Sequence, residues 1–167
     1  TTLVVFGDHG MTDDGNHGGS SFEEMRTVLF AYQKTPFPMA DMYSQYERYF
    51  SKIDKTIKQV DLTAILSTLM GTAFPYSNLG VLHPAFVQGE NVLAAHTAML
   101  KNLEQIENYL KHYCQETAQD WCEHEMETFH SSLTAFKQYR AHKAGNKALI
   151  DQIVEMNVFA NEKYKHF

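Results

Sequence analysis

The sequence predicts an α/β fold, with part of a sheet in residues 1–88 and a helical region in residues 89–167. The chain opens with an apolar run, residues 3–6, that stops abruptly at a glycine-rich loop. Such a run is typical of a buried strand, and the loop after it lies at the edge where open sheets bind their ligands. After residue 89 only helical spacing of apolar residues remains. A central strand as the first element is unusual, so we expect an incomplete domain.

The composition is that of a globular protein without a nucleic-acid-binding surface. Of the 167 residues, 44% are hydrophobic and 20% are charged, and the net charge is −6 with histidine neutral. General nucleic-acid binding usually requires a basic face, so we expect no nucleic acid among the partners. No apolar run reaches the about 18 residues that a transmembrane helix requires. The acidic charge is compatible with a phosphate substrate, because a bound metal supplies positive charge locally.

The first part of the chain predicts two strands joined by a loop. Residues 2–6 form the first strand, and residues 7–21 form a loop rich in Gly, Asp, Asn and His. Ser21 with Glu24 three residues later has the pattern of a capping box, which begins a helical turn. The apolar residues 28–32 predict the second strand.

The middle of the chain predicts one helix between irregular segments. Residues 36–50 read as a surface insertion, and residues 56–60 as a brief edge strand. Asp61 is the predicted cap of a helix that Gly71 ends. Residues 74–80 are a turn-rich connector.

The helical region predicts two or three packed amphipathic helices, with a turn at Gly145-Asn146. The predicted apolar stripes are Val92, His96, Met99, Leu103, Ile106, Leu110 and Tyr113; Cys122, Met126, Phe129, Leu133 and Phe136; and Ile150, Ile153, Val154 and Val158.

The two cysteines, Cys114 and Cys122, leave the redox compartment open. On one continuous helix they lie roughly 12 Å apart along the axis, beyond the roughly 7 Å that a disulfide can span. They can pair only if the helix breaks between them.

His96, on the first of the helical stripes, is interpreted as a core histidine with its hydrogen bonds satisfied.

The loop after the first strand carries the predicted chemistry, a metal site. Asp8 and His9 are adjacent at the strand end, and flanking glycines let the chain turn so that both can reach one ion. A carboxylate and an imidazole suit zinc at about 2.0–2.2 Å. His17 can bind the same ion or a second one about 4 Å away. A turn without any metal is the alternative. The other polar residues of the loop are interpreted as turn residues: Thr12, Asp13 and Asp14.

These residues resemble a known metal-binding signature. The segments 7–12 and 15–19 are similar to the signature of the alkaline-phosphatase superfamily, in the version of the GPI ethanolamine-phosphate transferases. Residues 59–71 resemble the strand–helix segment of that family, and residues 74–80 resemble its connector. The Gly-Met-Thr after Asp-His looks most like the branch that modifies the third mannose.

The resemblance implies a zinc-dependent transferase with two zinc ions. Such enzymes move phosphoethanolamine from phosphatidylethanolamine to a mannose of the GPI-precursor glycolipid, on the luminal side of the endoplasmic reticulum membrane, in some cases with a membrane subunit as partner. The pattern assigns Asp8 and His9 to the zinc that holds the nucleophile, and His17 to the other zinc. A threonine nucleophile and the remaining ligands precede this segment in the family, so we expect the chain alone to be inactive.

Two other functions remain open at this point. One is a different phosphodiesterase or sulfatase of the same superfamily. The other is a non-catalytic helical interaction domain in which the Asp-His loop is purely structural.

Overall fold

The computed structural model describes residues 1–35, 56–87, 92–139 and 144–163. The chain divides into two units, Thr1–Pro36 and Phe37–Phe167. In chain order the elements are β1 (Thr2–Phe6), α1 (Phe22–Met25), β2 (Leu29–Gln33), α2 (Asp61–Met70), a 3-10 turn (Pro84–Phe86), α3 (Val92–Thr117), α4 (Cys122–Gln138) and α5 (Asn146–Lys163).

Both predicted strands of the first unit are present, and they pair with each other. β1 and β2 run antiparallel, from Thr2 opposite Gln33 to Phe6 opposite Leu29. The α/β class is therefore confirmed in a coarse form only, as a small sheet followed by helices.

The prediction that β1 is buried is wrong for the residues that the structure describes. Alternate residues of a strand point to one face, and that face of the pair carries four large apolar side chains: Leu3, Val5, Phe30 and Tyr32. They are about half exposed, from 50% at Val5 to 58% at Tyr32. An apolar run indicates that a strand would favour burial. Burial itself requires a second layer that packs on the sheet, and a two-stranded sheet does not supply one.

The start of α2 differs from the prediction in two ways. Residues 56–60 form no strand and end in a turn, so the predicted edge strand is wrong. Val60 is the cap, and Asp61 is the first helical residue. The buried Asp61 carboxylate accepts hydrogen bonds from the backbone N–H groups of Lys58, at 3.0 Å, and Val81, at 2.8 Å, while burial raises its pKa. The predicted end is confirmed, because Gly71 closes the helix with a left-handed φ of 67°.

Buried asparagines hold the connector that follows α2. The Asn102 side-chain oxygen accepts from Leu82 N at 2.8 Å, and its amide donates to Gly80 O at 3.1 Å. Asn157 donates to Leu82 O at 3.3 Å, and Asn78 accepts from Gly80 N at 3.0 Å. These side chains satisfy backbone groups that would otherwise be buried without partners.

The C-terminal region was predicted to hold two or three helices and contains three, of which α3 packs against both α4 and α5. Three side-chain pairs of the described residues link the helices: His130 of α4 with the buried Glu107 of α3 at 2.6 Å, Lys137 of α4 with Glu104 of α3 at 3.3 Å, and Lys163 of α5 with Glu125 of α4 at 2.7 Å. The core of the second unit draws on α2, the connector and all three helices; its largest fully buried side chains are Ile65, Val81, Leu82, Met99, Leu103, Leu110, Phe129, Leu133, Ile150, Ile153 and Met156.

The chain between α3 and α4 breaks in the way that a disulfide requires. Ala118 has a left-handed φ of 48°, which ends α3 and reverses the chain before α4 begins. Cys114 and Cys122 are bonded to each other, with their Cα atoms 5.6 Å apart.

Three other expectations stand as follows. The predicted insertion at 36–50 lies outside the described residues. The domain boundary after residue 88 stays a prediction. It separates part of a catalytic domain from a helical region, whereas the two units describe only how residues of this chain pack. Along the described part of the chain, no helix combines the length and the apolar character needed to cross a membrane.

Candidate metal centre

The loop that follows β1 begins directly at the end of that strand and is fixed to α1 and to the segment after α1. Gly7 N donates to Val28 O at 3.2 Å, and Gly10 N donates to Glu24 O at 2.8 Å. A Cβ atom on Gly10 would overlap the carbonyl oxygens of Glu23 and Arg26. The glycine is therefore needed because two stretches of backbone approach each other closely.

Asp8 and His9 face each other within this turn. One carboxylate oxygen of Asp8 accepts from His9 N at 3.0 Å, and the other lies 3.6 Å from His9 Nε2. His9 Nδ1 lies 2.8 Å from Gly10 O. A carbonyl oxygen only accepts hydrogen bonds, so this contact is made by the form of the ring with a proton on Nδ1. When the ring is neutral, that form leaves the lone pair on Nε2. Histidines that bind a metal through one ring nitrogen typically donate the other N–H to a carbonyl or carboxylate, so this contact is compatible with metal binding through Nε2.

The structure brings His17 to His9. Their rings are stacked, with centroids 5.3 Å apart and planes 3° apart. Gly15 and Gly18, on either side of His17, have left-handed φ values of 86° and 85°. This backbone conformation is easily accessible to glycine and strained for other residues, so the glycines shape the loop that presents His17.

The donor set fits zinc chemically, since one carboxylate and two imidazoles are ligands that zinc prefers. Within the described ranges, however, no group of three or more His, Cys, Asp or Glu side chains is arranged to hold a metal ion. The three predicted residues therefore lie in one loop and include a close pair, His9 and His17, but do not form a closed coordination shell. The metal assignment of Asp8, His9 and His17 stays a prediction.

Thr12 holds together the part of the loop between His9 and His17 through hydrogen bonds to Asp14 and Asn16. Its hydroxyl donates to Asp14 at 2.6 Å, and its oxygen accepts from Asn16 N at 3.0 Å. The hydrogen bond from Thr12 holds the pKa of Asp14 below its usual range. These contacts agree with the interpretation of Thr12 and Asp14 as turn residues.

Glu24 is a residue to which the sequence assigned only a capping role. The capping box is confirmed: Ser21 Oγ accepts from Glu24 N at 3.3 Å, and the Glu24 carboxylate accepts from Ser21 N at 3.2 Å. The same carboxylate also accepts from Gly19 N at 3.0 Å. Hydrogen bonds from Ser21, through its side chain and then its backbone, and from Gly19 N–H hold the pKa of Glu24 below its usual range. The Ser-x-x-Glu spacing was the available signal, but it does not reveal the contact with Gly19.

His96 lies in the core as predicted, but the prediction that its hydrogen bonds are satisfied is wrong. The residue is 3% exposed, and its Nε2 has no hydrogen-bond partner in the described part of the chain. Its ring lies 5.9 Å from that of Tyr139. Burial lowers the pKa of His96.

Comparison with known proteins gives a consistent set of relatives. The chain is 38% identical over 115 residues to GPI ethanolamine phosphate transferase 3 of Schizosaccharomyces pombe, which covers 68% of the chain and 12% of that protein. It is 31% identical to the human GPI ethanolamine phosphate transferase 3, catalytic subunit, over 95% of the chain and 15% of that protein. It is 34% identical to GPI ethanolamine phosphate transferase 2 of Aspergillus fumigatus, over 66% of the chain and 15% of that protein.

The chain thus spans less than a sixth of the length of these relatives. Neither a family model nor a solved structure matches it.

Proposed function

Because the chain belongs to the family of the GPI ethanolamine phosphate transferases, we propose that it forms part of an enzyme that transfers phosphoethanolamine to a mannose of the GPI-anchor precursor. The proposed donor is phosphatidylethanolamine. The single observation that carries the proposal is the loop after β1, where Asp8 contacts His9 and the His17 ring stacks on the His9 ring. The chain supplies part of the site, and we expect it to be inactive by itself because no residue in it matches the nucleophile.

The proposed role of the loop is to hold zinc. Asp8 and His9 would bind one ion and His17 a neighbouring one, and two ions so placed stabilise the charges on the attacking and leaving oxygens of a displacement at phosphorus. The chain prepares its own ligands for this role. Gly10 O fixes the His9 tautomer that leaves Nε2 available, and stacking against His9 limits the orientations of the His17 ring.

The third mannose is the proposed acceptor. This rests on the Gly-Met-Thr after Asp8-His9. Type 3 relatives match at 31% to 42% identity. Type 2 relatives match at 34% to 39%, so the acceptor is decided by experiment.

The proposed location is the lumen of the endoplasmic reticulum, next to its membrane. The Cys114–Cys122 disulfide supports it, because disulfides persist in oxidising compartments such as this lumen. A membrane subunit is a proposed partner.

The test uses the full-length protein that carries this chain, expressed in cells that lack third-mannose transferase activity. Wild type, Asp8→Ala, His17→Ala and, as the matched control in the same loop, Asp13→Ala are compared. The measurements are the zinc content of the purified protein and the phosphoethanolamine on each mannose of the GPI precursor, by mass spectrometry. We expect Asp13→Ala to behave as wild type, and the other two variants to lose zinc and transfer.

Two results would contradict the proposal. Unchanged zinc content in both Asp8→Ala and His17→Ala would favour the non-catalytic interaction domain. Zinc loss in these variants, with no transfer to any mannose even by wild type, would favour a phosphodiesterase or sulfatase of the same superfamily.

A further inference from the structure

One residue contacts both ends of the loop that carries His9 and His17, through its backbone at one end and its carboxylate at the other. Glu24 accepts a hydrogen bond from Gly10 N through its backbone carbonyl, at 2.8 Å. Its carboxylate accepts from Gly19 N at 3.0 Å. Gly10 follows His9 directly, and Gly19 is two residues after His17. The same residue therefore contacts the backbone next to each of the two stacked histidines.

The burial of Glu24 indicates that this contact is specific. Glu24 is 6% exposed, and among residues 1–35 it is the one residue that is buried. A buried carboxylate is costly unless hydrogen bonds compensate for its lost hydration; here the N–H groups of Gly19 and Ser21 do so. A Cβ atom on Gly19 would overlap the carboxylate oxygens, so Gly19 fits against Glu24 only because it lacks a side chain.

We propose that Glu24 is a positioning residue for the metal centre, which sets the distance between His9 and His17 by fixing the backbone beside each of them. The inference rests on the proposed function, because it assumes that these histidines bind zinc. Glu24 itself binds no metal in this proposal. It acts through Gly10 and Gly19, in the way that outer partners orient the ligands of a metal ion.

The central variant is Glu24→Gln, and its matched control is Glu23→Gln. Glutamine keeps the shape of the side chain and one acceptor oxygen, but its NH₂ group must face one of the two N–H donors, Gly19 or Ser21, so one hydrogen bond is lost. Glu23 is the preceding residue of the same helical turn and is exposed. A second variant, Gly19→Ala, places a methyl group against the Glu24 carboxylate. It disturbs the same contact without substituting Glu24 itself.

Two measurements are made on the purified full-length protein. Zinc affinity is measured by competition with a chelator, with Asp8→Ala as the test of the metal centre itself. Hydrogen–deuterium exchange of the zinc-free protein is followed by mass spectrometry in the peptides that contain Gly10 and Gly19. Loss of an outer partner of a metal ligand typically lowers metal affinity about 10-fold to 100-fold. We expect a loss of that size for Glu24→Gln and Gly19→Ala, with faster exchange in the peptide that contains Gly19, and no change for Glu23→Gln. Exchange in the peptide that contains Gly10 should stay close to wild type, because its hydrogen bond goes to the Glu24 backbone carbonyl, which these variants keep.

The outcomes separate the two proposals. If Asp8→Ala lowers zinc affinity while Glu24→Gln and Gly19→Ala leave it unchanged, the positioning role is overturned and the metal centre stands. The role is also overturned if Glu23→Gln weakens zinc binding as much as Glu24→Gln does. If Asp8→Ala leaves zinc affinity unchanged, the metal centre fails, and the role of Glu24 fails with it.

Discussion

The Cys114–Cys122 disulfide allows a prediction whose size follows from the chain itself. The perturbation is its removal, by a reducing agent or by the double substitution Cys114→Ser and Cys122→Ser. The cysteines are 8 positions apart, and cross-linking a loop of that length lowers the conformational entropy of the unfolded chain. The loop-entropy relation gives about 2.5 kcal/mol of stabilisation.

The helices on either side should survive this change, so the effect should appear in stability rather than in structure. The turn keeps its own hydrogen bonds, from Ala118 N to Cys114 O at 3.1 Å and from Cys122 N to Gln119 O at 3.0 Å. Phe129 of α4 also stays buried in the core. The contribution of the disulfide is therefore mainly that of a constraint on the unfolded state.

The assay is urea denaturation of the 167-residue chain, followed by far-UV circular dichroism with and without reducing agent. Oxidised wild type should unfold at a higher urea concentration, with a free energy of unfolding about 2.5 kcal/mol above that of the double variant. Reduced wild type should coincide with the double variant, which itself should not respond to the reducing agent. Equal midpoints for oxidised and reduced wild type would refute the reasoning.

Three further predictions concern single residues. Ala118→Gly relieves the left-handed φ of 48° and should raise the free energy of unfolding by about 0.5–1 kcal/mol, after the entropic cost of glycine is subtracted; a lower value in urea denaturation would contradict this. The buried His96 has a pKa below its ordinary value of 6.5, so the folded state disfavours the proton that the unfolded state accepts, and stability falls as pH drops below 6.5. His96→Leu should make this acid-side decline shallower in denaturation midpoints between about pH 7.5 and about pH 5.5, and an unchanged decline would exclude His96 as its cause. Gly10→Ala forces its new methyl group against backbone carbonyls and should weaken zinc binding by the full-length protein about tenfold or more. Gly145→Ala, whose methyl group meets no atom within 4 Å, is its control, and equal zinc affinities in the two variants would count against the close-approach argument.

Much of the candidate site could be predicted because its signals are local. The apolar run that ends at Gly7, the glycines around His17 and the Ser21–Glu24 spacing each act over a few residues. They led to β1, the loop and the capping box, all of which the structure contains. What could not be predicted is the hydrogen bond from Gly19 to Glu24. The capping-box spacing describes only the contacts between Ser21 and Glu24.

The errors share one physical cause, which is that burial depends on residues distant in sequence. The apolar character of residues 3–6 was visible, but whether another layer covers the strand was not. Asp61 has the right residue type for a helix cap, yet its carboxylate accepts from Lys58 and from Val81, 20 residues away. His96 has the right spacing for the core, but spacing does not show whether a polar neighbour reaches Nε2.

The helices, the two paired strands, the glycine-bounded loop and the residues of the predicted metal site could all be recognised in the sequence. Periodicity, caps and glycines act through neighbouring residues, so they can be read directly from the chain. Which of these groups contact each other became visible only in the folded chain: Cys114 bonds to Cys122, asparagines hold the connector, and His17 stacks on His9. Such contacts depend on how the loops and helices are arranged in space. The spacing of two residues along the chain does not show whether that arrangement brings them together.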